Sequence, residues 1–421
     1  MNRGQADRRT GGQLVALLGL FFIGAPAAAQ TIAITGGTVF PVSGGRIQNG
    51  TVVIRDGRIV AVGAGVAVPA GARVVDARGK WITPGLIHTN ANAGLGVAGL
   101  GGFGEGSVQG EVNPSFNPAE GFDPAAATIP VARTGGVTTA VLGPDGSFFP
   151  GQAFAVDYDG STVDGVVVRR GAAMLLNLSA GSREAGGGSR AGVMARVRRI
   201  FGDALESSRR QADYRRDQIQ ELAAPARELE ALLPVLRGEM PLVVLANRKI
   251  DIENALRLKR EYRLRMLLFG AVEGWQVAGQ IAQAGVPVLV QPLRDIPDFD
   301  GLGARLDNAT LLREAGVTVV IAQGDPGGER NLRYAAGNAV LHGMSWDDAL
   351  KAITQAPATA FGLTGYGTLE PGAVANVVVW SGDPFEFSSA AERVFVRGRE
   401  SSLRTREHEL RERYRALPPI R

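Results

Sequence analysis

The sequence predicts an α/β protein in which a (β/α)8 barrel is combined with a small β-sandwich. Hydrophobic residues make up 45% of the 421 residues and charged residues 20%, so the chain can bury a large core. In the middle of the chain, short apolar runs alternate with segments of helical periodicity, which is typical of a parallel sheet covered by helices. On both sides of this middle part, short strand-like segments are separated by turns. A barrel flanked by two strand-rich segments accounts for all three observations.

The first 29 residues have the features of a cleavable secretory signal peptide. Three arginines within the first nine residues precede an apolar run at 14–23, which is short for a membrane span, and small residues follow up to Ala29. We expect cleavage after Ala29, by the Sec or the Tat route, and a periplasmic or secreted mature protein without a membrane span. An uncleaved membrane anchor and a buried core helix are the alternatives.

Strand-like segments fill residues 30–83 and return in residues 365–400. In the first part, Asp56-Gly57 separates two runs rich in β-branched residues, and this dipeptide favours a two-residue hairpin turn. We predict that both parts assemble into one composite β-sandwich, with the barrel inserted between them. The charged residues 401–421 are predicted to form a C-terminal helix.

Residues 84–364 are predicted to form a TIM-like (β/α)8 barrel. Their length of about 280 residues is close to the ~250 residues typical of this architecture. Helical segments, such as 252–262 and 275–284, lie between apolar runs that have the length of buried strands. The predicted strands are 137–142, 173–178, 242–245, 266–269, 286–290 and 317–321.

Residues 182–238 form an insertion into this pattern. Apolar residues at 197, 200, 201, 204 and 205 have the spacing of an amphipathic helix, and a stretch rich in Arg, Asp and Gln follows. We interpret the insertion as a pair of surface helices with a solvated face. An arm that binds a partner is the alternative.

The composition excludes several classes of function. The chain has no cysteine, which excludes disulfides, thiolate metal sites and a cysteine nucleophile. Its basic and acidic residues nearly balance, with a formal charge of +4, whereas nucleic-acid binding needs a clustered basic face. We therefore expect no nucleic-acid binding. Its three histidines cannot supply a mechanism that needs four imidazole groups.

Several motifs carry a resemblance to a known family. They are the segments at 34–39, 50–59, 83–87, 135–139 and 367–372, which read ITGGTV, GTVVIRDGRI, TPGLI, GGVTT and GTLEPG. In this combination the chain resembles the metal-dependent amidohydrolase superfamily, close to its imidazolonepropionase-like branch. The resemblance implies that a divalent metal at the barrel mouth activates water to attack a C–N bond, often in an amide or cyclic amide.

The resemblance also implies which positions would hold the metal, and most of them carry other residues here. Where the family has an H-x-H pair at the end of the first barrel strand, this chain has Asn90 and Asn92, and His88 takes the preceding Asp position. The histidine positions of the fifth and sixth strands correspond to Leu245 and Gly270. Since asparagine is a weak neutral ligand and the other two cannot coordinate, we expect a degenerate metal site without zinc.

Two candidate groups remain near the expected mouth. Asp325 occupies the position of the eighth-strand aspartate, where it is either a proton shuttle or a buried structural carboxylate. Because successive strand residues alternate between faces, we expect His88, Asn90 and Asn92 to point together into the barrel mouth and to contact a ligand. The predicted site therefore consists of Asp325 as a catalytic residue and these three as substrate-binding residues.

These expectations lead to two functional hypotheses. The first is an inactive or weakly active amidohydrolase homologue that binds no cofactor and serves as a binding or partner subunit, beside a paralogous amidohydrolase. The second is an active hydrolase of non-peptide or cyclic amide bonds, with a divalent metal such as Zn held by Asn90, Asn92, Asp325 and water. The sequence leaves open a small-molecule ligand and a homo- or hetero-oligomer.

Overall fold

The computed structural model describes residues 31–96, 104–108, 110–146, 148–209, 222–323 and 328–415. The predicted signal peptide at 1–29 lies outside these residues. The strands of the described residues are β1 (Ile32–Val39), β2 (Ile47–Arg55), β3 (Arg58–Ala64), β4 (Arg73–Asp76), β5 (Trp81–Pro84), β6 (Leu86–Ala91), β7 (Val137–Leu142), β8 (Gly151–Asp157), β9 (Val167–Asn177), β10 (Leu242–Ala246), β11 (Met266–Gly270), β12 (Val288–Val290), β13 (Val319–Ile321), β14 (Val377–Trp380), β15 (Ala391–Val396) and β16 (Arg399–Ser401).

The α-helices lie mainly between the later barrel strands. In the described parts of the chain they are α1 (Thr128–Thr134), α2 (Val163–Val166), α3 (Arg190–Arg209), α4 (Ala226–Ala231), α5 (Leu233–Leu236), α6 (Lys249–Tyr262), α7 (Ala278–Gln283), α8 (Asn308–Glu314), α9 (Leu332–Leu341), α10 (Trp346–Ala352), α11 (Gln355–Ala360) and α12 (Arg406–Tyr414). Of the predicted helices, 252–262 corresponds to α6, and 275–284 corresponds to a 3-10 turn followed by α7.

Strands from both chain ends share one hydrogen-bonded sheet, in the order β16-β15-β14-β5-β1-β2-β3. The two ends are joined where β14 pairs with β5 antiparallel. The sheet branches at β1, whose first half pairs with β4 and whose last residues pair with β5. The composite assembly is therefore present, while its division into two packed sheets of a sandwich stays a prediction.

The predicted C-terminal helix is shorter than residues 401–421. Ser401 still belongs to β16, where it pairs with Val394. The helix α12 begins at Arg406, because Thr405 and His408 form a capping box that satisfies free backbone N–H groups at the helix start.

The second sheet is a nearly closed barrel of eight strands, in the order β6 to β13. Its strands from β9 to β13 pair in parallel, as do β6 and β7. The exception is β8, which runs antiparallel to both β7 and β9, so the expectation of an all-parallel barrel is wrong at this strand. At the open side, the Ile87 N–H donates to the carbonyl of Ile353 (2.9 Å).

The barrel separates two apolar layers. Residues of its interior, such as Ile87, Val243 and Leu289, form one buried cluster, and residues of the opposite strand faces pack beneath the helices. The insertion contributes to the outer layer, because α3 buries one face and its Phe201 contacts Tyr262 edge to face (5.1 Å between ring centroids). The described part of the insertion that forms α3 is therefore packed on the barrel.

A buried carboxylate at the end of β8 joins the barrel to the composite sheet. Asp157 is 1% exposed and accepts four hydrogen bonds. Its Oδ1 accepts from the Thr139 hydroxyl (2.8 Å) and from Asn376 Nδ2 (3.1 Å). Its Oδ2 accepts from the Tyr366 hydroxyl (2.9 Å) and from Arg397 Nε (2.5 Å). Because Asn376 precedes β14 and Arg397 follows β15, these bonds hold the composite sheet against the barrel.

Among the described residues, the helices are all too short or too polar to cross a lipid bilayer.

Candidate functional site

A cavity of about 180 Å³ opens at the carboxyl ends of the barrel strands. This is the end at which barrel proteins of the (β/α)8 type hold their ligands. Four of its side chains stand at one level on adjacent strands, because Asn177 pairs with Leu245, Leu245 with Phe269 and Phe269 with Leu289. The cavity wall is mostly apolar, and its large apolar members are Val141, Leu175, Leu176, Val243, Leu245, Phe269, Leu289 and Phe361.

Three neutral polar side chains interrupt this apolar wall. The Thr89 hydroxyl is buried and has no hydrogen-bond partner in the described parts of the chain. The carbonyl oxygen of Asn177 accepts from the Ser179 N–H (2.8 Å) and hydroxyl (2.7 Å). The Asn90 amide donates weakly to the Gln323 carbonyl (3.4 Å). The cavity therefore offers hydroxyl and amide groups to a ligand.

A bulge in β6 separates His88 from Asn90. His88 pairs with Ala140 and Ala91 pairs with Leu142, so three steps along β6 face two steps along β7. Such an extra residue shifts the alternation of faces. Asn90 consequently lines the cavity, whereas His88 follows the interior residue Ile87 and faces the layer beneath the helices. The expected common face of His88, Asn90 and Asn92 is not what the structure has.

His88 is a fully buried imidazole outside the cavity. Its Nδ1 accepts from the Asn90 N–H (3.3 Å), and its Nε2 is buried without a partner in the described residues. Burial lowers the pKa of His88, and the negative charge of Glu329 opposes this shift. The imidazole therefore supports the backbone of the site from behind.

Asn92 lies beside the cavity and is held by a carboxylate that the sequence did not point to. Glu329, which is 2% exposed, accepts from the Asn92 N–H (2.8 Å) and the Ala93 N–H (2.6 Å). Its other oxygen accepts from the Tyr158 hydroxyl (2.7 Å). Burial, followed by the charge of Glu329, raises the pKa of Tyr158 well above its usual value, so this hydroxyl stays protonated and donating. Glu329 thus anchors the segment that follows β6.

The remaining predicted positions are Leu245, Gly270 and Asp325. Leu245 lines the cavity, as expected from its place on the fifth barrel strand. Gly270 adopts a left-handed conformation (φ +83°), and a Cβ there would come within 2.2 Å of the Asn247 side-chain oxygen. A side chain at position 270 would need this loop to move. Asp325 lies outside the described residues.

The donor groups that the described residues present at this mouth do not fit a divalent metal. The described residues contain no group of three or more histidines, cysteines, aspartates or glutamates that could hold one. The levels where metal ligands would stand carry Leu245 and Phe269, and the carbonyl oxygen of Asn177 already accepts two hydrogen bonds. Zinc requires several nitrogen, sulfur or carboxylate ligands at short distance, and this wall supplies apolar carbon instead.

Asp145 is the one charged side chain among the described residues that line the cavity. It is exposed at the rim, where its N–H donates to the Gly106 carbonyl (3.0 Å). Partial burial raises the pKa of its carboxyl. Among the described lining residues, this carboxylate gives the rim a weakly acidic edge, and the other lining side chains are neutral.

Comparison with known proteins gives one family match. A family model described as the amidohydrolase family matches residues 280–401. Amidohydrolase tasK of Hapsidospora irregularis is 23% identical over 365 residues, which is 79% of this chain. The chain spans 37% of the length of that relative. Imidazolonepropionase of Ralstonia nicotianae is 49% identical over 51 residues, or 11% of this chain and 12% of the relative.

Among solved structures, an amidohydrolase from Thermotoga maritima superposes with a TM-score of 0.81 and 26% identity, covering 89% of this chain and 100% of that one. Molinate hydrolase superposes with a TM-score of 0.56 at 19% identity, covering 89% of this chain and 95% of that one, and this likeness concerns the fold alone.

Proposed function

We propose that this chain, a member of the amidohydrolase family, binds a small molecule at its barrel mouth and does not hydrolyse it through a metal. Its homologues include hydrolases. The observation that carries the proposal is the apolar wall at the level of the expected ligands, where Leu245 and Phe269 stand beside Asn177. A fold alone does not specify an activity, so the argument rests on these side chains.

The proposed loss of catalysis follows from what the cavity can offer to a water molecule. Metal-assisted hydrolysis needs a cation to lower the pKa of water and a base to take its proton. The described lining residues contain hydroxyl, amide and apolar groups with one carboxylate, Asp145, at the exposed rim. His88 is the histidine nearest in sequence to the lining residues Thr89 and Asn90, and it is buried on the other face of β6.

We extend the proposal to the protein's setting. The signal-like residues 1–29 support a periplasmic or secreted location, and the motifs quoted from the sequence support the imidazolonepropionase-like branch. A role as a binding or partner subunit beside a paralogous amidohydrolase is consistent with a mouth that has kept its shape and exchanged its ligands. Co-expression with such a paralogue and co-purification through a tag on either chain tests the partner role.

Metal content and turnover test the central proposal. The purified mature chain is dialysed with Zn²⁺, Mn²⁺ or Mg²⁺, freed of excess metal, and analysed for bound metal and for hydrolysis of cyclic amides, acyl-amino acids and dipeptides. We expect substoichiometric metal and no turnover with any of the three.

A stoichiometric metal together with turnover would contradict the proposal. If that activity also disappeared in the variant Asp325→Asn, the alternative hydrolase with Asn90, Asn92 and Asp325 at an oxygen-ligand site would be favoured. The metal content and the turnover are therefore read together, because the hydrolase needs both a bound cation and activity.

A further inference from the structure

We propose that the mouth cavity selects an uncharged, largely apolar molecule that carries one hydrogen-bonding group, seated at Thr89 and Asn177. This inference rests on the proposed function, in which the mouth is a binding site rather than a metal site. It adds the chemical class of the ligand.

The apolar part of the ligand is specified by the wall. Leu245, Phe269 and Leu289 stand side by side on adjacent strands, and Val243 and Leu175 form the next level of the interior. Covering such a surface with a hydrocarbon group removes apolar area from water on both partners, which is the main favourable term in binding.

The position of the polar group is specified by Thr89. Thr89 is one of the residues that line the cavity and is 7% exposed, and its buried side-chain oxygen lacks a partner among the described residues. A buried hydroxyl without a hydrogen bond is unfavourable, so a ligand atom that donates to it or accepts from it relieves this penalty.

Asn177, a second polar residue that lines the cavity, adds a directed donor. Its carbonyl oxygen is occupied by the Ser179 N–H (2.8 Å) and hydroxyl (2.7 Å), so its NH₂ group is the part that can serve a ligand. A hydroxyl or carbonyl oxygen on the ligand can accept from this NH₂ group. The same ligand oxygen can bond with the Thr89 hydroxyl, which both donates and accepts.

The absence of charge on the ligand follows from the lining. Arginine, lysine and histidine do not occur among the described residues that line the cavity, so a carboxylate or phosphate would lose its hydration without a counter-ion. Asp145 adds repulsion of anions from the rim. Of the described lining residues, Asp145 is the one that could pair with a cation, and it lies at the exposed edge.

Four naphthalene derivatives with one ring system test the inference by calorimetry on the mature chain. They are 1-naphthalenemethanol, 1-methylnaphthalene, 1-naphthoate and 1-naphthylmethylammonium. We expect the alcohol to bind most tightly and both charged compounds to bind at least roughly tenfold more weakly, because the wall desolvates their charge.

The variant Thr89→Val removes the hydroxyl with little change of shape. We expect it to weaken the alcohol roughly fivefold, the size of one neutral hydrogen bond, and to leave 1-methylnaphthalene unchanged. Thr364→Val, at an exposed threonine outside this cavity, is the matched control and should change neither compound.

Equal or tighter binding of the naphthoate would overturn the inference and leave the proposed binding role in place. The same holds if Thr89→Val weakens the alcohol and the hydrocarbon to the same extent, because the loss would then lie in shape rather than in a hydrogen bond. Lack of binding by all four compounds would also overturn it. The proposed lack of metal-dependent hydrolysis fails separately, through metal content and turnover.

Discussion

Replacing Asp157 with asparagine should loosen the junction between the barrel and the composite sheet. The carboxylate is 1% exposed, and four donors converge on its two oxygens. In Asp157→Asn one of these oxygens becomes an NH₂ group, which faces two donors and can accept from neither. The variant keeps the size of the side chain, so the effect reports on charge and hydrogen bonding rather than on a cavity.

The expected magnitude follows from the partners. Two buried donors lose their acceptor, at about 1–2 kcal/mol each. The ion pair adds about 1 kcal/mol at most, because the Arg397 side chain is 36% exposed and water replaces part of the lost interaction. We therefore expect the free energy of unfolding to fall by about 2–5 kcal/mol, and the upper end of this range matches the cost of breaking a fully buried ion pair.

Urea unfolding followed by circular dichroism measures this change. The matched control is Asp76→Asn, since Asp76 also pairs with an arginine but its side chain is 54% exposed and that of Arg78 is 83% exposed. We expect the control to unfold like the unchanged protein. If Asp157→Asn is no more destabilising than Asp76→Asn, the four hydrogen bonds do not join the two layers as argued.

Two further predictions concern a buried acid and a strained glycine. Burial raises the pKa of Asp295 from 3.8 to about 7, so ionisation of this carboxyl opposes folding. The free energy of unfolding should therefore fall as the pH rises from about 4 to about 7 and then level off. A pH series of unfolding midpoints should show this fall, and the variant Asp295→Asn should flatten it. The variant Gly270→Ala should destabilise the protein by about 1–3 kcal/mol, because φ is +83° and the new Cβ meets the Asn247 side chain at 2.2 Å. The control Gly285→Ala has φ +60° and open space around the new Cβ, so in thermal unfolding it should show the smaller cost of backbone strain alone.

The apolar pattern of the sequence was sufficient for the strands that are buried on both faces. The predicted strand at 137–142 coincides with β7, and 242–245 and 266–269 fall within β10 and β11. Strand direction is a different matter, because a run such as 151–157 reads the same whether it pairs parallel or antiparallel. The direction of β8 therefore could not be predicted from its own residues. It is set by the pairing of β8 with β7 and β9.

The site residues were harder to predict than the fold, for two physical reasons. The face that His88 shows depends on one extra residue in β6, and this bulge follows from pairing with β7 rather than from the local sequence. Glu329 acts on backbone N–H groups at Asn92 and Ala93, more than 230 positions away, which carry no sequence signal of their own. Leu245, by contrast, lies on a regular strand whose neighbours fix its register, so its place at the cavity follows from the pairing of β10.

The bulge in β6 also bears on how a metal site of this kind could be exchanged for a binding site. The backbone still turns position 90 into the mouth, and His88 and Glu329 hold this segment from behind through the N–H groups of Asn90 and Asn92. The backbone of this segment is therefore held by groups other than the side chain at position 90. Under the proposed function, asparagine at position 90 therefore leaves the strand in place without offering an imidazole to a metal, and the apolar side chain of Leu245 suits the same space to a neutral ligand.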